Sequence, residues 1–203
     1  MDYSDVRKEV ARFCHFIYEK GYTQGSGGNV SCRVPDTEYF AIKKTGVNMK
    51  VMTEEDVLIV DEYGKLIHGE GKPSKEFGFH LGVLKIRPDM NAFIHCHPNY
   101  SIAFANNDLV FPMVTVTARK AVGYVPLIDT ALAGSDELRD YVIEAFRDNP
   151  DSHAILMKEH GVSIAGKTLE QAFNVLDIME QTAKQAFLQA VISNNIDSFK
   201  RMA

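Results

Sequence analysis

The sequence predicts an α/β fold. Segments with helical hydrophobic spacing alternate along the chain with short β-type apolar runs, and turn residues mark the boundaries. Composition agrees: 203 residues, 45% hydrophobic and 24% charged, can bury a core without disulfides. No repeat, low-complexity tract or linker-like stretch interrupts the chain, so residues 1–203 are expected to form one domain.

The first element is a helix carrying Val6, Val10, Phe13 and Ile17 on one face and ending near Gly21, a plausible C-cap. The glycine-dense stretch Gly25–Arg33 follows, then strand-like runs at Tyr39–Ile42 and Val57–Val60 and a turn through Asp61–Lys65. Lys72-Pro73-Ser74-Lys75-Glu76 opens a helix with Ser74 as N-cap and Phe77, Leu81 and Leu84 as its apolar stripe. Asn91–His97 alternates as a strand, with Phe93, His95 and His97 on one face and Ala92, Ile94 and Cys96 on the other. Leu138, Val142 and Phe146 mark a helix after Gly134-Ser135, and Ala154–Met157 reads as a short buried strand. Thr168-Leu169-Glu170-Gln171 matches a capping box that opens a long helix along Phe173, Leu176 and Ala183.

Several function classes fall away at once. A net charge of −5 argues against a generally basic surface and so against nucleic acid as a partner. The longest apolar runs, such as Val57–Val60, are far short of the roughly 20 residues that span a bilayer. Met1–Asp5 lacks a basic and apolar leader pattern, and three scattered cysteines (Cys14, Cys32, Cys96) suit a reducing compartment, so a cytoplasmic location is expected.

Among the seven histidines, His95 and His97 carry the most information. Side chains two apart on a strand point the same way, so both imidazoles can meet one ion. His160, beside Gly161 and just after the strand at 154–157, is the best third ligand. Three imidazoles suit Zn²⁺ or a similar divalent ion and leave a position for substrate. His80 lies near the Phe77/Leu81 stripe and reads as a buried, hydrogen-bonded residue; His15, His68 and His153 read as surface or packing residues. Cys96 faces away from the histidines and reads as packing.

Three segments are suited to an anion: Gly25-Ser26-Gly27-Gly28-Asn29, Lys43-Lys44-Thr45-Gly46, and Ser74-Lys75 at a helix start. The first is neither a dinucleotide fingerprint nor a P-loop. Singly each reads as a turn; together, ahead of His95 and His97, they make a small phosphorylated substrate plausible.

The ordered set Gly27-Gly28-Asn29-Val30-Ser31, Thr45-Gly46, Pro73-Ser74-Lys75-Glu76 with His80, His95-Cys96-His97 and Glu159-His160-Gly161 resembles the class II sugar-phosphate aldolase/epimerase family, which also contains the adducin head domain. The resemblance implies a central, mainly antiparallel sheet flanked by helices, and a homotetramer with active sites between subunits. It implies zinc on His95, His97 and His160, and phosphate held by Asn29, Thr45, Gly46 and Ser74. Glu76 would be the acid/base residue, and a metal ligand when no substrate is bound. The implied reaction is reversible cleavage of a small ketose 1-phosphate, such as L-fuculose 1-phosphate, to dihydroxyacetone phosphate and an aldehyde through a zinc-stabilised enediolate. Glu76, where the family's epimerases carry Asp, favours this cleavage over 4-epimerisation. Lys75 replaces a serine of the aldolases, resembles the family's 3-oxo-tetronate-4-phosphate decarboxylases, and adds a cation to the phosphate site. The stretch Met113–Thr117 has threonines where the aldolases place a tyrosine. A non-catalytic, adducin-like interaction domain is the reading from another class; the three histidines and Glu76 stand against it.

Overall fold

The computed structural model describes residues 3–196. Helix α1 (Ser4–Glu19) leads to strands β1 (Asn29–Arg33), β2 (Phe40–Lys43), β3 (Val57–Val60) and β4 (Leu66–His68). Next come α2 (Phe77–Ile86), β5 (Ala92–Cys96), α3 (Asn99–Asn106), α4 (Val116–Ala121), β6 (Leu127–Ile128) and α5 (Asp136–Asp148). Strands β7 (Ala154–Met157) and β8 (Gly161–Gly166) precede α6 (Leu169–Asn194). The eight strands form one sheet in the order β4-β3-β2-β1-β5-β8-β7-β6. Neighbours run antiparallel except the parallel pair β6–β7, so the fold is α/β with a mainly antiparallel sheet flanked by helices.

Both faces of the sheet are covered, which is why its central strands are apolar almost throughout. Ala92, Ile94 and Cys96 of β5 join Val10, Phe13 and Ile17 of α1 and Leu176 and Met179 of α6 in one core. Phe93 turns to the other face, against Phe79 and Leu84 of α2 and Val142 and Phe146 of α5. Each fully buried large apolar side chain contributes roughly 1.5–3 kcal/mol. Within α6 the two roles separate along its length: Leu169, Ala172, Leu176 and Ala183 are buried, whereas Phe187, Leu188, Val191 and Ile192 are exposed.

The local signals explain most boundaries. Helix α1 stops at Gly21, whose φ of +74° suits glycine, with its N–H bonded to Tyr18 O at 2.9 Å. Thr168 caps α6 by accepting the Gln171 N–H at 3.1 Å, but the Gln171 side chain accepts from Lys167 rather than closing a reciprocal box with Thr168.

One expectation needs correction. Ser74 is not the N-cap of α2, because the helix begins at Phe77 and Glu76 holds the cap position. The preceding residues are tied to β2 instead: Lys44 bridges Pro73, and Ser74 N–H donates to Lys43 O at 3.1 Å. That tie holds Pro73 and Ser74 against β2, and a turn closed by the Phe77 N–H on Ser74 O at 3.1 Å then leads into the helix. The glycine-dense stretch likewise ends as strand β1, and α3, α4, β4, β6 and β8 have no counterpart in the pattern-based reading.

Candidate active site

Strand β5 lies at the centre of the sheet, where His95 pairs with Asn29 of β1 on one side and Ser163 of β8 on the other. His95 is fully buried, and its Nδ1 is 2.9 Å from Val162 O. A carbonyl only accepts, so Nδ1 carries the proton and Nε2 presents its lone pair. His97 follows just beyond the strand end, with its N–H donating to Tyr22 O at 2.8 Å. His160 comes from the tight β7–β8 hairpin, where Glu159 takes a φ of +56°.

The hairpin can approach this closely only because residue 161 is glycine. A Cβ there would lie 2.3 Å from Cys96 O and 2.8 Å from the His97 ring. Gly28 has the same function on the opposite wall: its φ is +70°, and a Cβ would meet His95 O at 3.0 Å.

The three imidazoles converge, with one nitrogen from each within 4.8 Å of the others. His95 and His97 bring their Nε2 atoms to 3.1 Å. That is close to the edge of a tetrahedron, about 3.3 Å, for imidazole nitrogens about 2.0–2.1 Å from zinc. The donor set therefore fits a divalent ion of the zinc type, and Glu76 is in reach of it. One Glu76 oxygen is 3.2 Å from His160 Nε2, and the other is 3.6 Å from His95 Nε2.

Glu76 is oriented from the far side by Asn29, whose Nδ2 donates to it at 2.8 Å. Burial pushes the Glu76 carboxyl up, but His95 and hydrogen bonds from His160 and Asn29 outweigh it and hold the group well below the usual carboxylate range. It is an anion at neutral pH. Burial lowers His95 to about 3 against the opposing pull of Glu76, and lowers His97 as well. Both rings are therefore neutral, the form that binds a cation.

The three segments expected to suit an anion come together beside this group. Thr45 N–H donates to Lys72 O at 3.0 Å, which with the Lys44–Pro73 bridge draws Thr45-Gly46 against Ser74-Lys75. Together with Asn29, Glu76, His97 and His160 they line a cleft of about 420 Å³. Every expected site residue lines this cleft except His95, which lies buried beside it. The Ser74 hydroxyl accepts the Glu76 N–H at 3.3 Å, so its place at the site comes from this turn rather than from capping. Asn29 Oδ1 is buried without a partner among the described residues, an acceptor left for a ligand's donor.

Lys43 and Ala133 also line the cleft; Lys43 was expected only as part of the Lys43–Gly46 segment, with no role of its own, and Ala133 was not expected at all. Lys43 is 2% exposed, donates to Ser26 O at 3.2 Å, and has its pKa lowered by burial. A lysine ending the apolar strand β2 was the available signal. Ala133 belongs to the segment before α5 and carried no signal.

A family model described as class II aldolase and adducin N-terminal domain matches residues 8–187. The chain belongs to this family. Within it, an L-fuculose phosphate aldolase of Methanococcus vannielii is 34% identical over 87% of this chain and 93% of its own length. A 3-oxo-tetronate 4-phosphate decarboxylase of Escherichia coli is 29% identical over 90% of this chain and 86% of its own. Among solved structures, an L-fuculose 1-phosphate aldolase superposes with a TM-score of 0.85 at 27% identity, covering 95% of this chain and 89% of that one. The chain thus shares its overall fold with that aldolase over nearly its whole length. No helix among the described residues is long and apolar enough to cross a membrane.

Proposed function

We propose that the chain is a zinc-dependent aldolase that reversibly cleaves a small ketose 1-phosphate, of the L-fuculose 1-phosphate kind, to dihydroxyacetone phosphate and an aldehyde. The observation that carries this reading is that His97, His160 and Glu76 line one cleft with the three segments suited to an anion, while buried His95 converges on the same histidines beside it. A divalent ion on the three imidazoles supplies Lewis acidity to a ketose carbonyl and its neighbouring hydroxyl.

The chain's own groups do the rest. Asn29, Thr45, Gly46, Ser74 and Lys75 hold the phosphate, through main-chain N–H groups, hydroxyls and one cation. That anchor sets the distance from the phosphate to the carbon whose bond breaks, fixing which proton meets Glu76. In cleavage the C–C electron pair stays on that carbon, the hydroxyl proton of the aldehyde half passes to water, and Glu76 delivers a proton to the carbon; in the reverse direction Glu76 removes it, and Asn29 holds its carboxylate in place. Glu76, in contact with His95 and His160, would also be in reach of an ion held by the three imidazoles when substrate is absent. We further propose a single-domain chain that works in the cytoplasm as a homotetramer with active sites between subunits.

A decarboxylase of a 3-oxo sugar-acid phosphate is the second reading. Lys75 at the cleft and the 29% identical relative favour it. Both reactions leave a carbanion next to a carbonyl, so the same residues serve. A 4-epimerase fits less well with Glu76, and an adducin-like interaction domain has no use for the converged histidines. The test is to purify the protein, measure its metal content, and assay L-fuculose 1-phosphate cleavage before and after chelation. Metal-dependent release of dihydroxyacetone phosphate is expected. A protein with bound zinc that releases carbon dioxide from the 3-oxo acid, and no dihydroxyacetone phosphate, would select the second reading.

A further inference from the structure

Helix α3 starts directly after His97-Pro98, and no side chain of its own caps it. The cap comes from α6. Glu180, 5% exposed, accepts the N–H groups of Tyr100 at 2.8 Å and Ser101 at 2.9 Å, and also the Ser101 hydroxyl at 2.8 Å. These are orphan donors of the first turn of α3, and a carboxylate there also complements the helix dipole. A buried carboxylate 79 residues away thus fixes where α3 begins, two residues after His97.

The other end of α3 reaches the second histidine loop. Asn106, the last residue of the helix, accepts the Glu159 N–H through Oδ1 at 2.7 Å. Lys158 pairs with Asp108 just beyond the helix at 2.6 Å. Glu159 holds a positive φ immediately before His160, so this bond stabilises a conformation a non-glycine residue disfavours. One rigid helix therefore connects the chain at His97 to the turn at His160.

We propose that Glu180 is a positioning residue for the metal ligands: by capping α3 it sets the place of His97, and through Asn106 the same helix sets the turn that carries His160. Glu180 touches neither ion nor substrate in this account. The inference rests on the reading that the three histidines hold a divalent ion. Groups hydrogen-bonded directly to a metal ligand typically change metal affinity about 10–100-fold when removed, and Glu180 acts one step further out, so its loss is expected at the lower end of that range.

The test uses the full chain, stripped of metal and titrated with Co²⁺, whose d–d absorption reports ligand geometry, with Zn²⁺ affinity measured by competition. The variants are Glu180→Ala, Glu180→Gln, Asn106→Ala, and a core control, Val10→Ala on α1, each checked for folding by thermal unfolding. Glu180→Ala and Asn106→Ala are expected to weaken Zn²⁺ binding about tenfold or more and to shift the Co²⁺ spectrum. Glu180→Gln, which keeps an acceptor, should recover part of the affinity, while Val10→Ala lowers the unfolding temperature and leaves the spectrum unchanged. If Glu180→Ala folds and binds Zn²⁺ as the parent does, the proposal is overturned. If Glu180→Ala does not fold, Asn106→Ala decides in the same way. Should the parent chain bind neither ion, the metal reading itself fails, and the proposal with it.

Discussion

Glu76 holds two bonds at once, to Asn29 on one oxygen and to His160 on the other, and remains an anion despite burial. Among the described residues it is the only carboxylate lining the cleft. Glu76→Gln keeps the shape and removes the base, so turnover should fall about 10²–10⁴-fold while phosphate binding is largely retained; steady-state kinetics beside inhibition by inorganic phosphate would show the split. Gly161→Ala makes a different statement, since its Cβ would collide with main chain as well as a ring. Loss of stability together with loss of metal binding is expected, and an unchanged metal content would contradict the close-approach argument. His80 and His95 both give a pH dependence, and His80 lies outside the proposed ligand set. Burial holds its pKa at about 3, against 6.5 for an exposed histidine, with Glu76 opposing. The folded state therefore binds fewer protons, and stability is full above about 6.5 and lost as pH falls toward 3, by about 1.4 kcal/mol per pH unit for this group. Urea unfolding of metal-free protein at pH 7 and pH 5 should show that loss, and a folded His80→Asn variant should show less of it. At this scale the sequence was informative: the i, i+2 spacing of His95 and His97 is itself geometry on a strand, whereas the lysine that closes an apolar run at Lys43 signals burial but not its partner, Ser26 O, which lies far along the chain.

Elements were legible where an amphipathic stripe or a short apolar run stands between turn residues, as in α1, β3 and β7, and illegible where the segment is too short or too mixed to show either. Helix α1 shows its spacing plainly because Glu9, Arg12 and Glu19 face water. Strand β8 (Gly-Val-Ser-Ile-Ala-Gly) is buried along its whole length and carries neither period nor β-branched enrichment enough to stand out. Helix α3 is short and held by Glu180, a partner far along the chain, so no local pattern predicts it. The start of α2 went astray for a related reason: Ser74 has the right chemistry for a cap, but the bridge to β2 takes its backbone first. Caps that are local behave as expected. Thr168→Ala removes the acceptor for Gln171 N–H and should cost about 1 kcal/mol, read as a lower urea midpoint with an unchanged m-value.

For the whole molecule, the central strands put the histidines at the end of β5 and the two-sided core holds them there, so metal and fold should be coupled. An ion bound only by the folded chain stabilises it by mass action. Chelation is expected to lower the unfolding temperature and zinc to restore it, and no change by calorimetry would count against the site. The mainly antiparallel sheet came from the resemblance rather than from periodicity, because strand order depends on contacts between distant segments such as β1 with β5. The central claim is that Glu76 moves a proton at the carbon next to a carbonyl held in this cleft. The most direct measurement is to load the protein with Zn²⁺, add dihydroxyacetone phosphate in D₂O, and follow the C3 protons by NMR, with Glu76→Gln alongside. Stereospecific loss of one proton signal, abolished in the variant, is the predicted result. No exchange by protein that holds its zinc would contradict the aldolase reading and favour the decarboxylase.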